Sequence, residues 1–352
     1  MAAIQSGLDP HLREQMRSEP SPICYVCGET GDFLYHDLRD RYFAAPGVWN
    51  LKRCKNASCG TVWLDPIPVK EDIGKAYQSY YTHSDVDGVE DNTRGRRFIR
   101  AVKAGYLAYA YGYNNGESRP LGLLAYFAPF RRASLDFAVM YLPYLSGGRL
   151  LEVGCGSGKM LKGMADLGWQ AEGIDSDPVA VENSRRKGLK VGTESLDDLH
   201  YPENCFDAIT MSHVIEHVHD PVGLLKECRR ILKPGGRLSL VTPNINSAGH
   251  RMYGRSWFHL DPPRHLHIFT VGSLDALFQK AGFHTTKIGT TIRDASGAYV
   301  ASHEVRRTGR YEMGSMQRRS ARMWGRTMQR IEWAWLKIDG QAGEEIAAMA
   351  QK

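Results

Sequence analysis

The stretch at residues 150–160, LLEVGCGSGKM, limits what this chain can fold into more than any other. An apolar run around Glu152 passes into alternating glycines, Gly154, Gly156 and Gly158, and then into KMLKGM, the pattern of a buried strand, a tight turn and a helix start. Glycines at such a turn let the backbone approach a ligand closely. A dinucleotide-binding G-x-G-x-x-G would put its third glycine at position 159; here it falls one residue earlier, at Gly158, which argues against nicotinamide and flavin cofactors. A second short strand, AEGID at 171–175, ends in Asp175 about 20 residues further on, where folds of this kind bind ribose hydroxyls. The two stretches predict an α/β fold.

Two later segments extend the pattern: SLDDLHYPENCFDAIT at 195–210 and KECRRILKPGGRLSLVTPN at 226–244, the latter a helix, a Pro-Gly-Gly turn and a strand. In this order the set resembles the class I S-adenosylmethionine (SAM)-dependent methyltransferases through most of residues 148–290. The resemblance implies a Rossmann-like sheet and SAM as cofactor. Its implied binding residues are Glu152, Gly154, Cys155, Gly156, Gly158, Asp175 as ribose ligand, Ser176, Leu196 through its backbone at the adenine, and Ser212. Ser195 and Leu196 stand where the family commonly has an acid.

Near the start, Cys24 and Cys27 are separated by 26 intervening residues from Cys54 and Cys59, and a glycine follows each pair at 28 and 60. Thiolates two to four residues apart on a turn can face one tetrahedral ion, and a closed set of thiolates leaves no open position for catalysis. The reading is a structural Zn2+ held by Cys24, Cys27, Cys54 and Cys59 in a small ribbon domain, with hairpin strands around Pro46 and Gly47. Cys155, Cys205 and Cys228 read as packing residues. The stretch 24–83, ending in YQSYYTH with Tyr80, Tyr81 and His83, resembles the cysteine-bearing N-terminal region of bacterial methyltransferases that modify sugars and secondary metabolites.

At 352 residues and 42% hydrophobic, the chain has enough sequence for one large core and an accessory domain. The predicted division is a zinc-ribbon-like domain at 1–83 with a frayed start, a linker and helical cap at 84–145, and a SAM domain at 146–352. Within the last, 296–340 forms a basic helical insertion before a final strand at 343–352. The linker candidate is 84–97, and the aromatic run 98–145 is read as helices. A formal net charge of +6 suits anionic substrates without calling for nucleic acid. No apolar run reaches the length of about 20 that spans a bilayer, and the polar start is no signal peptide, so the expectation is a cytoplasmic enzyme. The arginines from 306 to 330, followed by Trp333 and Trp335, leave peripheral membrane contact open through the insertion. Oligomeric state is left open.

The loop after the fourth predicted strand reads MSHVIEHVHDP at 211–221. Its H-x-x-E-H is not a zinc-protease site, because the segment follows a strand and both histidines would have to share a helix. Ubiquinone-pathway O-methyltransferases, which it resembles, have E-x-x-E-H here and use it for a divalent cation; His213 replaces the first acid. Glu216 and His217 read equally as ligands or as caps of the next helix. Histidine is the side chain whose ordinary pKa suits a general base. His217 is the first candidate, followed by His213 and by His265 in PRHLHIFT. The expected function is methyl transfer to a small molecule: a sugar, a secondary metabolite or a carrier-bound intermediate. A zinc-ribbon RNA methyltransferase and a non-catalytic scaffold are the alternatives.

Overall fold

A computed structural model describes residues 15–77, 94–113, 119–312 and 318–352. Tyr80, Tyr81, His83 and most of the expected linker lie outside the described residues. The strands are β1 (Ser18–Glu19), β2 (Gly31–Leu38), β3 (Trp49–Cys54), β4 (Val62–Leu64), β5 (Ile67–Pro68), β6 (Arg149–Val153), β7 (Gln170–Ile174), β8 (Lys190–Gly192), β9 (Phe206–Ser212), β10 (Leu232–Pro243), β11 (His267–Ile268), β12 (His284–Thr291) and β13 (Glu345–Gln351). The α-helices are α1 (Arg94–Tyr111), α2 (Arg119–Gly122), α3 (Pro129–Ala138), α4 (Lys159–Asp166), α5 (Pro178–Arg186), α6 (Pro221–Ile231), α7 (Ala248–Tyr253), α8 (Val271–Lys280), α9 (Ala295–Thr308) and α10 (Arg319–Leu336).

Seven strands form the main sheet in the order β12-β13-β10-β9-β6-β7-β8. The strands from β8 through β10 pair in parallel, while β13 runs antiparallel between β10 and β12. From β6 the chain winds outward through β7 and β8, then crosses back to β9 and β10. That reversal opens a crevice at the carboxyl ends of β6 and β9, the place where open α/β sheets bind ligands. The Pro-Gly-Gly turn interrupts β10 instead of preceding it: Gly235 has φ +76°, and the pairing with β9 breaks register between Leu232 and Arg237. Helix starts follow local chemistry, with Asp177 and Asp220 capping α5 and α6 ahead of prolines and a Thr270–Ser273 capping box opening α8.

Strands β2, β3 and β4 make the expected ribbon, but β11 supplies its fourth strand, so the accessory sheet is completed from residues far along the chain. Leu38, Trp49, Leu51, Val62 and Leu64 share one apolar core with Ile245, Trp257, Leu266 and Tyr299. Each such side chain contributes roughly 1.5–3 kcal/mol on burial, enough to lock the ribbon on the main domain. The start of the chain is docked from Met16 onward: Met16 is buried, β1 pairs with β5, and Arg17 forms an ion pair with Asp72 at 3.1 Å. The aromatic run is helical as expected, although α1 already begins at Arg94, inside the linker candidate. Helices α9 and α10 occupy the insertion between β12 and β13.

Candidate active site

The glycine turn after β6 has the backbone its sequence calls for, with Gly154, Gly156 and Gly158 at φ +72°, +50° and +71°. A side chain on Gly154 would meet Val214 at 2.4 Å, whereas the space beside Gly156 is open. The turn therefore packs against the loop after β9 on one side and keeps a cleared face on the other. Asp175, just past β7, accepts a hydrogen bond from Gly156 N at 2.7 Å and another from Asp177 N at 2.9 Å. Each carboxylate oxygen keeps a lone pair for further donors. Glu152 is buried with Oε2 lacking a partner, and burial together with the Asp175 charge pushes its carboxyl well above the usual range. An open backbone cradle, a carboxylate with spare acceptors and an orphaned buried acid fit the chemistry of an amino-acid and ribose-bearing cofactor. Cys155 is buried beside Gly173, Ser176 is exposed past Asp175, Leu196 is buried beyond β8, and Ser212 ends β9.

The histidines separate into two environments. His213 places Nε2 2.8 Å from Oε1 of Glu345 and Nδ1 3.3 Å from Oε1 of Glu216. Burial works against its cation, but the two carboxylates outweigh it and raise the pKa to about 10, so at neutral pH it has no lone pair to offer. Arg293 braces the far side of Glu345 at 2.6 Å. Thr242 donates to Glu216 at 2.9 Å, and although burial opposes the charge, His213 holds this carboxyl near 2. Neither Glu216 nor His217 caps the next helix, since Asp220 fills that role.

His217 lies 3.0 Å through Nδ1 from the carbonyl oxygen of Arg264. A carbonyl only accepts, so Nδ1 carries the hydrogen and Nε2 presents a lone pair. Burial, then the neighbouring His265, push His217 down to about 4, leaving the ring neutral at pH 7. His265 repeats the arrangement, with Nδ1 2.7 Å from the carbonyl of His259, and the rings of His217 and His265 sit edge to face at 4.7 Å. One ligand atom from each of Glu216, His217 and His265 lies within 4.8 Å of the others. The fold thus groups His217 with His265 and draws His213 away into an ion-pair network.

Three further residues complete the site. Tyr77, from the end of the ribbon, places its hydroxyl 3.0 Å from Nδ1 of His217. Arg264, fully buried, pairs with Asp40 of the ribbon at 2.8 Å and with Asp261, and so fixes the loop that presents His265. His259 stacks on His213 at 6.0 Å and stays neutral because burial, then the His213 charge, lower it to about 3. Tyr77 had a local signal in the tyrosine-rich YQSYYTH and His259 one in the histidine-rich stretch 256–267, whereas nothing local pointed to Arg264.

Away from the crevice, one sulfur from each of Cys24, Cys27, Cys54 and Cys59 lies within 4.8 Å of the others, with Sγ–Sγ distances of 3.7 Å for Cys24–Cys59 and 3.3 Å for Cys27–Cys54. Gly28 and Gly60 have φ +79° and +57°, the tight returns the spacing anticipates. Hydrogen bonding between Cys24 and Cys59 pushes the first thiol up and holds the second down. The chemistry of this donor set fits a tetrahedral thiophilic ion.

Residues 127–288 match a family model described as a methyltransferase domain. The ubiquinone biosynthesis O-methyltransferase of Xanthomonas oryzae pv. oryzae is 38% identical over 149 residues, which are 40% of this chain and 59% of that protein. The protein of the same name from Alkalilimnicola ehrlichii is 36% identical over 140 residues, 37% of this chain and 53% of its own length. The chain therefore spans somewhat over half the length of these relatives. Among solved structures, a SAM-dependent methyltransferase from Mesorhizobium loti aligns with a TM-score of 0.42 at 18% identity, covering 62% of this chain and 98% of that one.

Proposed function

Residues 127–288 belong to the class I SAM-dependent methyltransferases, and on that premise we propose that this protein transfers a methyl group to a hydroxyl of a small molecule, with His217 as general base. The observation that carries the reading is the neutral, buried His217, with Nδ1–H tied to a carbonyl and Nε2 left to accept a proton, on the loop that packs against the glycine cradle. The O-methyltransferases among its relatives support a hydroxyl acceptor over a carbon or nitrogen one.

Glu152, Gly154, Gly156 and Asp175 would hold SAM, with Cys155, Gly158, Ser176, Leu196 and Ser212 around them. Bound there, SAM supplies a methyl group already activated on a sulfonium centre. With SAM held there, Nε2 of His217 would take the proton of the acceptor hydroxyl while the methyl–sulfonium bond breaks to leave a neutral thioether, and the Arg264 carbonyl would stabilise the imidazolium through Nδ1–H. Such a base is worth about 10² to 10⁴ in rate. Tyr77 and His265 fix the ring's position, and the fixed cation of His213 keeps Glu216 and Glu345 ionised. Cys24, Cys27, Cys54 and Cys59 hold a structural Zn2+ in this reading. The intended setting is cytoplasmic.

A second reading has a specific observation behind it: Glu216, His217 and His265 form a donor set for a divalent ion. An ion there would polarise the acceptor oxygen and replace the free base. Mixed imidazole and carboxylate donors suit zinc or manganese better than magnesium.

Mass spectrometry of the full chain under non-denaturing conditions tests the cofactor assignments, followed by transfer of labelled methyl to a panel of hydroxylated aromatics. Bound zinc, bound SAM and labelled ether products are expected. Absence of SAM binding would overturn the enzyme reading in favour of a scaffold. Activity that disappears on chelation and returns with manganese, while the ribbon zinc is retained, would replace the free base with the metal.

A further inference from the structure

Helices α1, α2, α3 and α10 carry an unusual surface. No acidic residue occurs in α1, α2 or the segment 123–128, and the acids of α3 and α10 are both engaged inside: Asp136 accepts from the hydroxyls of Tyr106 and Tyr111, and Glu332 is fully buried. The exposed charges on these helices are therefore positive among the described residues, with Arg97, Lys103, Arg131, Arg322, Arg326 and Arg330 all facing solvent.

Large apolar side chains stand among them. Phe127 is 86% exposed and Ile338 is 89% exposed, values at which an apolar side chain has no packing role. Phe98, Met323, Trp324 and Trp335 are exposed as well. The two clusters adjoin: Phe130 at the start of α3 meets Trp333 of α10 with ring centroids 6.1 Å apart, and a cavity of about 220 Å³ has Pro129 and Arg132 on one wall and Trp333, Leu336 and Lys337 on the other. Helix α10 buries Gly325, Met328 and Glu332 toward the body of the protein, where a side chain on Gly325 would meet Ser296 O at 2.5 Å. Its opposite side carries Met323, Arg326 and Arg330 outward, with Trp333 on the flank toward α3 and Trp324 and Trp335 on the other flank beside His303 and Arg251.

We propose that this surface docks the protein on an anionic lipid bilayer, lying in the interfacial layer. Arginine and lysine among exposed tryptophan, phenylalanine and isoleucine are the composition of an interfacial face, in which rings enter the headgroup boundary and cations meet lipid phosphates. Among the described residues no helix is long and apolar enough to cross a membrane, so contact is from one side. The surface adjoins the crevice, because Phe137 at the other end of α3 lies under the Arg293 guanidinium, 3.6 Å from its ring centre, and Arg293 braces Glu345. Docking brings the active site beside the bilayer, where an apolar hydroxylated acceptor would reside. The proposal concerns binding and holds whether or not the methyl-transfer assignment does.

The test is flotation of the full chain with phosphatidylglycerol–phosphatidylcholine vesicles and with pure phosphatidylcholine vesicles, at low and high salt. Salt-sensitive flotation with the anionic vesicles is expected, with a blue shift of tryptophan emission. The double variants Phe127→Ser/Ile338→Ser and Arg322→Glu/Arg326→Glu should each weaken it by on the order of tenfold or more. All four side chains are exposed, and unchanged thermal melting checks that the fold is kept. Absence of flotation, or equal flotation of parent and variants, overturns the proposal. So does a concentration-dependent dimer in sedimentation velocity that the Phe127/Ile338 variant abolishes, which would assign the face to a second copy of the chain.

Discussion

The hydroxyl of Tyr77, carried by the N-terminal ribbon, lies 3.0 Å from Nδ1 of His217 on the loop after β9. The ribbon thus reaches into the candidate active site. Tyr77→Phe is expected to slow methyl transfer by roughly tenfold while leaving SAM affinity unchanged, and His217→Ala by about 10² to 10⁴. Single-turnover rates and equilibrium SAM binding on the same samples check this; loss of SAM binding in either variant would reassign both residues to the cofactor site.

Asp175, just past β7, accepts from Gly156 N and so ties that strand end to the glycine turn after β6. Asp175→Ala removes a charged acceptor, a loss of about 1.5–3 kcal/mol, so SAM should bind roughly ten- to a hundredfold more weakly. Isothermal titration measures it, and an unchanged affinity would remove Asp175 from the cofactor site.

The cysteine cluster predicts one zinc per chain. Cys24→Ser should lower zinc content and the melting temperature together, since metal-binding energy at a closed thiolate site is folding energy. Elemental analysis of the purified variant decides, and full zinc retention would contradict the assignment.

Arg264 has no exposed surface and answers both Asp40 and Asp261. Arg264→Met should cost about 3–5 kcal/mol in urea unfolding, because two carboxylates are left without their cation. Crippled folding would obscure any effect on rate, so Asp40→Asn serves as a milder companion, expected to show a smaller loss.

His250 is buried against Tyr35 and Trp257, and burial lowers its pKa from 6.5 to about 4. The unfolded chain takes up this proton below pH 6.5, and the folded chain only near pH 4. Stability should therefore fall as the pH drops through this window, by up to about 3 kcal/mol from this residue, and then level off. His250→Gln should flatten that limb in urea midpoints measured from pH 7 to 4; an unchanged slope would show that other groups carry it.

The sequence by itself determined the parts of this protein whose chemistry is local. Three glycines at fixed spacing, an acid at the end of the next strand and paired cysteines followed by glycine each specify a backbone turn within a few residues. The glycine turn and the thiolate cluster were legible for that reason, as was the closing strand Glu345–Gln351 from its place after the insertion. The tertiary structure alone decided which histidine offers a lone pair. His213 and His217 look alike in sequence, yet His213 meets Glu345 across 132 positions, whereas His217 meets Tyr77 across 140. A histidine's charge is set by the sign of its buried neighbours, and packing brings those neighbours from distant strands with no periodicity to announce them. The pairing of Arg264 with Asp40 and the strand His267–Ile268 that completes the ribbon were hidden for the same reason: each depends on segments far apart in sequence closing into one shared core.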